Sequence, residues 1–174
     1  MIMKKQMILF WMMTFFSGLE ANLSPCCPSG SSCTKVFSAV GQFILPGEPV
    51  LLEKISVQSH EVDLSFASTF GMILFNRSGV YKIVWYGETR SSFNWTLGFS
   101  LDGTIILGNI YGNSGCHSSV EEFEGSLVLS INAGQVLRFV NASSHPIQLV
   151  PNKIGSHLPQ SSFTVCLSLF DRIY

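Results

Sequence analysis

An all-β fold, a sandwich or barrel of about ten short strands, is what this sequence predicts. Three observations carry that expectation. Apolar residues recur at period two in several runs, the spacing of half-buried strands whose side chains leave on alternate sides. Turn-forming Gly, Ser, Asn, Asp and Pro residues separate those runs at intervals of about eight to twelve residues. No segment holds a helical period over a useful length.

The totals narrow the class of function. Of 174 residues, 47% are hydrophobic and only 12% charged, about half the usual charged share of roughly 25%. A net charge of −1 offers no footprint for nucleic acid or for an anionic membrane surface. So sparse a charge implies that part of the surface is covered, most simply by copies of the same chain.

Residues 1–21 read as a signal peptide. Met1 to Lys5 supplies the positive start, Met7 to Phe16 the apolar stretch, and Ser17-Gly18 with Leu19 to Ala21 the small-residue cleavage sites. As a helix, Met7 to Leu19 would span about 20 Å, short of the roughly 30 Å hydrocarbon core. Cleavage and export therefore fit better than an uncleaved anchor, which would be the chain's one hold on a membrane. About 150 residues remain once that segment is set aside: a Cys/Pro/Ser-rich leader occupies 22–35, and one domain with a full core occupies 36–174.

The five cysteines are Cys26, Cys27, Cys33, Cys116 and Cys166. In an oxidising compartment disulfides persist, and an odd count leaves a thiol free or paired with another chain. Adjacent Cys26-Cys27 lacks the spacing of a zinc site, so covalent links at the base of an oligomer fit the leader better than metal. Cys116 with Cys166 is a candidate bridge inside the domain; a loop of about 50 residues closed there would add about 4 kcal/mol. Other pairings stay open.

In chain order, Val36 to Phe43 reads as a first strand, turned by Leu45 to Pro49. Val50 to Val57 is a second, Val62 to Phe66 a short third, and Phe70 to Phe75 a fourth closed by the Asn76 to Gly79 turn. Gly79 to Tyr86 is the most informative. Tyr81, Ile83 and Trp85 point one way and Val80, Val84 and Tyr86 the other, with Lys82 the one polar side chain. A strand apolar on both faces is covered on both faces. Phe93 to Leu101 and Thr104 to Ile110 flank Asp102-Gly103, a strong hairpin signal. Tyr111 to Ser119 reads as a loop. Gly125 to Ile131 then carries Leu127, Leu129 and Ile131 at period two and turns at Asn132 to Gly134 into Val136 to Val140. A polar connection, Asn141 to Gln160, leads to the last strand, Ser162 to Phe170, with Phe163, Val165, Leu167 and Leu169 on one face.

That order of elements resembles a known family. Gly79 and Tyr81 after an Asn-x-Ser turn, Leu101-Asp-Gly103, Leu127 and Leu129 before Ala133-Gly134, and Ser162-Phe163 resemble the complement 1q / tumour necrosis factor-like jelly roll. The likeness runs from Val36 to Ile173 and is nearest the C-terminal domain of bacterial spore-surface collagen-like glycoproteins. The resemblance implies a ten-stranded antiparallel jelly-roll β-sandwich that forms tight trimers. It places Val80, Val84 and Tyr86, with Thr164, Cys166 and Ser168, towards neighbouring protomers. The collagen stalk of that family is absent here.

Chemical sites are sparse. His60, His117, His145 and His157 sit in polar loops, and Cys116-His117 has no recognised metal-ligand spacing. Asp102 is explained by its turn rather than by calcium. No nucleophile elbow, zinc-protease helix motif or phosphate loop occurs. Asp63, Asp102 and Asp171 make a Ser/His triad only on paper, and Glu121, Glu122 and Glu124 read as a solvated edge. Asn22, Asn76, Asn94 and Asn141 open Asn-x-Ser/Thr sequons, sugar acceptors only in a eukaryotic secretory host; the leader and the resemblance lean bacterial. The aromatic C-terminus invites an outer-membrane barrel, but the strands fall short of the roughly 9–11 residues needed.

The sequence thus describes an exported or cell-surface module, not an enzyme and without a cofactor, whose main partner is itself as a homotrimer. The loops at 111–119 and 141–160 are left free for a protein or glycan ligand. A carbohydrate-binding jelly roll, with Trp95 and Tyr111 as its sugar contacts, is the alternative; a small secreted hydrolase is third.

Overall fold

Thirteen strand segments occur among the described residues. The computed structural model describes residues 33–57, 59, 64–67, 71–90, 94–105, 111–113, 120–151 and 161–172. The signal segment, Cys26, Cys27, Cys116, His60, His117, His157, Asn22 and Asp63 lie outside them. The strands are β1 (Cys33–Ser38), β2 (Gln42–Ile44), β3 (Lys54–Val57), β4 (Leu64–Ala67), β5 (Met72–Phe75), β6 (Gly79–Thr89) and β7 (Trp95–Leu101). They continue with β8 (Thr104–Ile105), β9 (Tyr111–Asn113), β10 (Glu121–Ile131), β11 (Val136–Asn141), β12 (Ile147–Leu149) and β13 (Phe163–Arg172).

Every pairing is antiparallel, and the ten principal strands form two facing layers, as the sequence predicts. One layer runs β3-β1-β13-β6-β10, with β2 and β12 as a short ribbon beside the end of β6. The other runs β4-β5-β11-β7, with β8 and β9 sharing the last place. Between the layers, side chains at alternate positions close the core. Tyr81, Ile83 and Trp85 of β6 meet Phe163, Val165 and Leu167 of β13, and Leu97, Phe99, Leu137 and Phe139 of the second layer. The aromatic rings touch in series: Trp85 to Phe99 at 4.6 Å, Phe99 to Phe139 at 4.8 Å, and Phe139 to Phe163 at 5.0 Å between centroids. Such edge-on pairs each add about 0.5–1.5 kcal/mol beyond their buried area.

Two turns lock together. Asp102 and Gly103 both take positive φ (52° and 83°), the geometry an Asp-Gly hairpin turn requires. The Asp102 carboxylate accepts from the Val136 backbone N–H and the Gln135 side-chain amide, each at 2.8 Å. Those donors hold its carboxyl below the usual range, so the residue is occupied structurally.

The strand boundaries differ from expectation where side chains replace backbone partners. The first strand is in two pieces because Ala39 N–H donates to the Glu53 carboxylate at 3.3 Å instead of to a neighbouring strand. The second begins at Lys54 rather than Val50: Leu51 exchanges bonds of 2.7 and 2.8 Å with the Gln42 amide, and Val50 N–H donates to Phe139 of the other layer. The expected loops at 111–119 and 141–160 contain β9 and β12 respectively.

Candidate functional site

The outward face of the first layer collects the residues that sequence parity assigns to it. Strand register sets them in rows: Glu124, Tyr86, Thr164 and Phe37 in one, Ser126, Val84, Cys166 and Lys35 in the next, Val128, Lys82, Ser168 and Cys33 in a third. Val80, opposite Ser130, continues the same parity, so all six residues expected to face neighbours lie on a single surface. Their coverage differs. Thr164 and Cys166 are already buried within one chain, whereas Val80, Val84, Tyr86 and Ser168 are half-buried. Cys33 and Cys166 are both disulfide-bonded. Lys35 is buried beside them and holds its ammonium 5.8 Å from the centre of the Tyr86 ring.

Two apolar residues extend this surface beyond the expected set. Val128 of β10 is 57% exposed and Phe170 of β13 is 76% exposed. Val128 stands among the outward Glu122, Glu124, Ser126 and Ser130, and that lone break in a polar series was the available signal. Phe170 continues the outward parity of Thr164, Cys166 and Ser168, beside a register shift between Leu169 and Asp171.

The other candidates fall elsewhere. Trp95 is 4% exposed and packs on Phe123 at 4.8 Å, so its ring lies in the core and has no free face for a sugar. Tyr111 opens β9, apart from this surface in the second layer. His145 is exposed and exchanges a hydrogen bond with Ser144. The Asn141 amide is buried: it donates to Ile44 O at 2.9 Å and His145 O at 2.8 Å, and accepts from Ser143. No group of His, Cys, Asp or Glu among the described residues is arranged to hold a metal ion, and no described helix is long and apolar enough to cross a membrane.

At the end of the outward face β6 and β10 frame a cleft of about 400 Å³, lined by Tyr86, Gly87, Glu88, Glu122, Phe123, Glu124 and Ser161. Glu88 and Glu122 are cross-strand partners. Burial, and then the Glu122 charge, push the Glu88 carboxyl above its ordinary range.

This is the fold of the complement 1q and tumour necrosis factor jelly rolls. The globular domain of zebrafish complement 1qA superposes with a TM-score of 0.59 at 12% identity, covering 82% of this chain and 100% of that one. The Eiger TNF structure from S. frugiperda gives a TM-score of 0.56 at 12% identity, covering 82% and 94%. No protein-family model and no curated protein sequence matches the chain. At such identity the likeness establishes the fold alone, and the spore-surface branch expected from the sequence gains no support from either structure. What the comparisons support is the antiparallel jelly-roll β-sandwich itself.

Proposed function

We propose that the chain is an exported, non-enzymatic module that assembles as a homotrimer through the outward face of β6 and serves as a secreted or cell-surface structural or binding protein. The observation that carries this reading is a partly exposed apolar surface on one layer, formed by the exposed Val128 and Phe170 with the half-buried Val80, Val84 and Tyr86. Apolar side chains gathered on one sheet face, interspersed with Lys82, Ser126 and Ser130, have the mixed composition of an association surface. The resemblance to jelly rolls that trimerise through this layer supports the same choice. Three copies meeting on it would exclude water from the patch, each contributing about 25 cal/mol per Å² of apolar area before the cost of ordering.

Disulfides of the leader cysteines would fasten the assembly's base. The solution mass of residues 22–174, measured with and without reductant, tests the proposal. A trimer in both conditions is expected from packing. A trimer only without reductant would move the cause to the leader cysteines, and a monomer in both would end the reading.

A further inference from the structure

The cleft between β6 and β10 has a chemistry of its own. Three carboxylates, Glu88, Glu122 and Glu124, line it with the Tyr86 ring and Ser161, and no cationic side chain is among the described residues of the lining. Glu88 is 6% exposed, yet its Oε1 is fully enclosed and has no hydrogen-bond partner among the described residues. A buried carboxylate oxygen without a donor is costly, and a second carboxylate directly opposite on the neighbouring strand adds repulsion. Both costs fall when a positively charged donor enters. A metal is the poorer candidate, since no described set of carboxylates converges as a metal shell requires. A group carrying several N–H donors suits acceptors that are spread apart. The volume is that of a site for one side chain or small molecule. The Tyr86 ring that forms one wall already has the Lys35 ammonium near it, so a cation beside this ring has a precedent within the chain.

We propose that this cleft binds an organic cation, a guanidinium or primary ammonium group on a slender aliphatic stem, with Glu88 and Glu122 as its acceptors and Tyr86 against its stem. The group could be borne by a partner protein's arginine or lysine or by a free amine, and two probes separate these sources. N-acetyl-arginine amide stands for the peptide side chain and cadaverine for the free amine. The full folded chain is titrated with each at constant ionic strength, and backbone amide shifts are followed.

The expected result is a saturable response centred on Glu88, Glu122 and Ser161 with at least one probe; the tighter probe identifies the source. Glu88→Gln keeps the shape and removes the charge, and should weaken binding by roughly tenfold or more. Glu122→Gln, on an exposed residue that folding does not need, should weaken it less. Shifts that sodium chloride reproduces, an unchanged response in both variants, or saturable binding of calcium in place of either amine would each overturn the proposal. The trimer question is separate, because a mass measurement reads that and this titration does not.

Discussion

Glu88 shows how a single carboxyl can oppose the fold that holds it. Its folded pKa lies above the ordinary value, first because burial disfavours the charge and then because Glu122 faces it. The folded state therefore binds this proton more tightly than the unfolded chain does. Its contribution to stability is full below the unfolded value and is lost as pH rises through the folded one. Glu88→Gln abolishes that ionisation. In urea unfolding at about pH 8 the variant should have a higher midpoint than the parent, and the gap should close towards about pH 4. An equal gap at both values would mean that packing, not charge, sets the difference. Asn141 is the opposite case, a buried amide whose donors and acceptor are all engaged. Asn141→Ala removes the side-chain donor to the Ile44 carbonyl and the acceptor of the Ser143 N–H, leaving His145 O only the Ser143 hydroxyl, and should cost about 2 kcal/mol in chemical denaturation. A cost near zero would mean that water replaces the amide there.

Strands β6 and β10 are paired along their whole length, and one glycine lets them pack. Gly125 stands opposite Trp85, and a Cβ built on it would come within 2.2 Å of the indole ring. The ring is rigid and enclosed by Phe99 and Phe139, so it has little room to yield. Gly125→Ala should lower stability by about 1–3 kcal/mol, read from the urea midpoint, and should disturb the indole fluorescence. A stable variant with an unchanged spectrum would mean that β10 shifts to make space. The same two strands show what residue order conveys. The faces of β13 were legible from its apolar/polar alternation and those of β6 from strand parity, and Asp102-Gly103 was legible because few dipeptides suit two positive φ values. β9 and β12 were not, being three residues each and too short to display a period. The cleft was hidden for another reason. Glu88 continues the outward series of Val80 to Tyr86, but setting it opposite Glu122 needs the register across a long connection, which no local pattern encodes.

For the whole molecule, the issue is why the outward side of one layer carries apolar residues among its polar ones. The inner side is accounted for by the ring series from Trp85 to Phe163, which closes the core within a single chain. Nothing in that core needs Val84 or Phe170, so the outward patch can be altered without unfolding the sandwich. Val84 is half-buried at the centre of the patch, between Ser126 and Cys166. A carboxylate there remains hydrated on a lone chain but loses its water in an interface, a penalty of several kcal/mol for an unpaired charge. Repeated about a threefold axis, three such charges would also repel one another. Val84→Glu should therefore leave the circular-dichroism spectrum and the unfolding cooperativity of the monomer intact while shifting the solution mass from three chains to one. Phe170→Ser, which removes exposed area without adding charge, should weaken assembly more mildly and make it concentration-dependent. If both variants kept the parent's mass, the patch would not be the contact. The apolar outer row of β6 would then need a different partner to explain it.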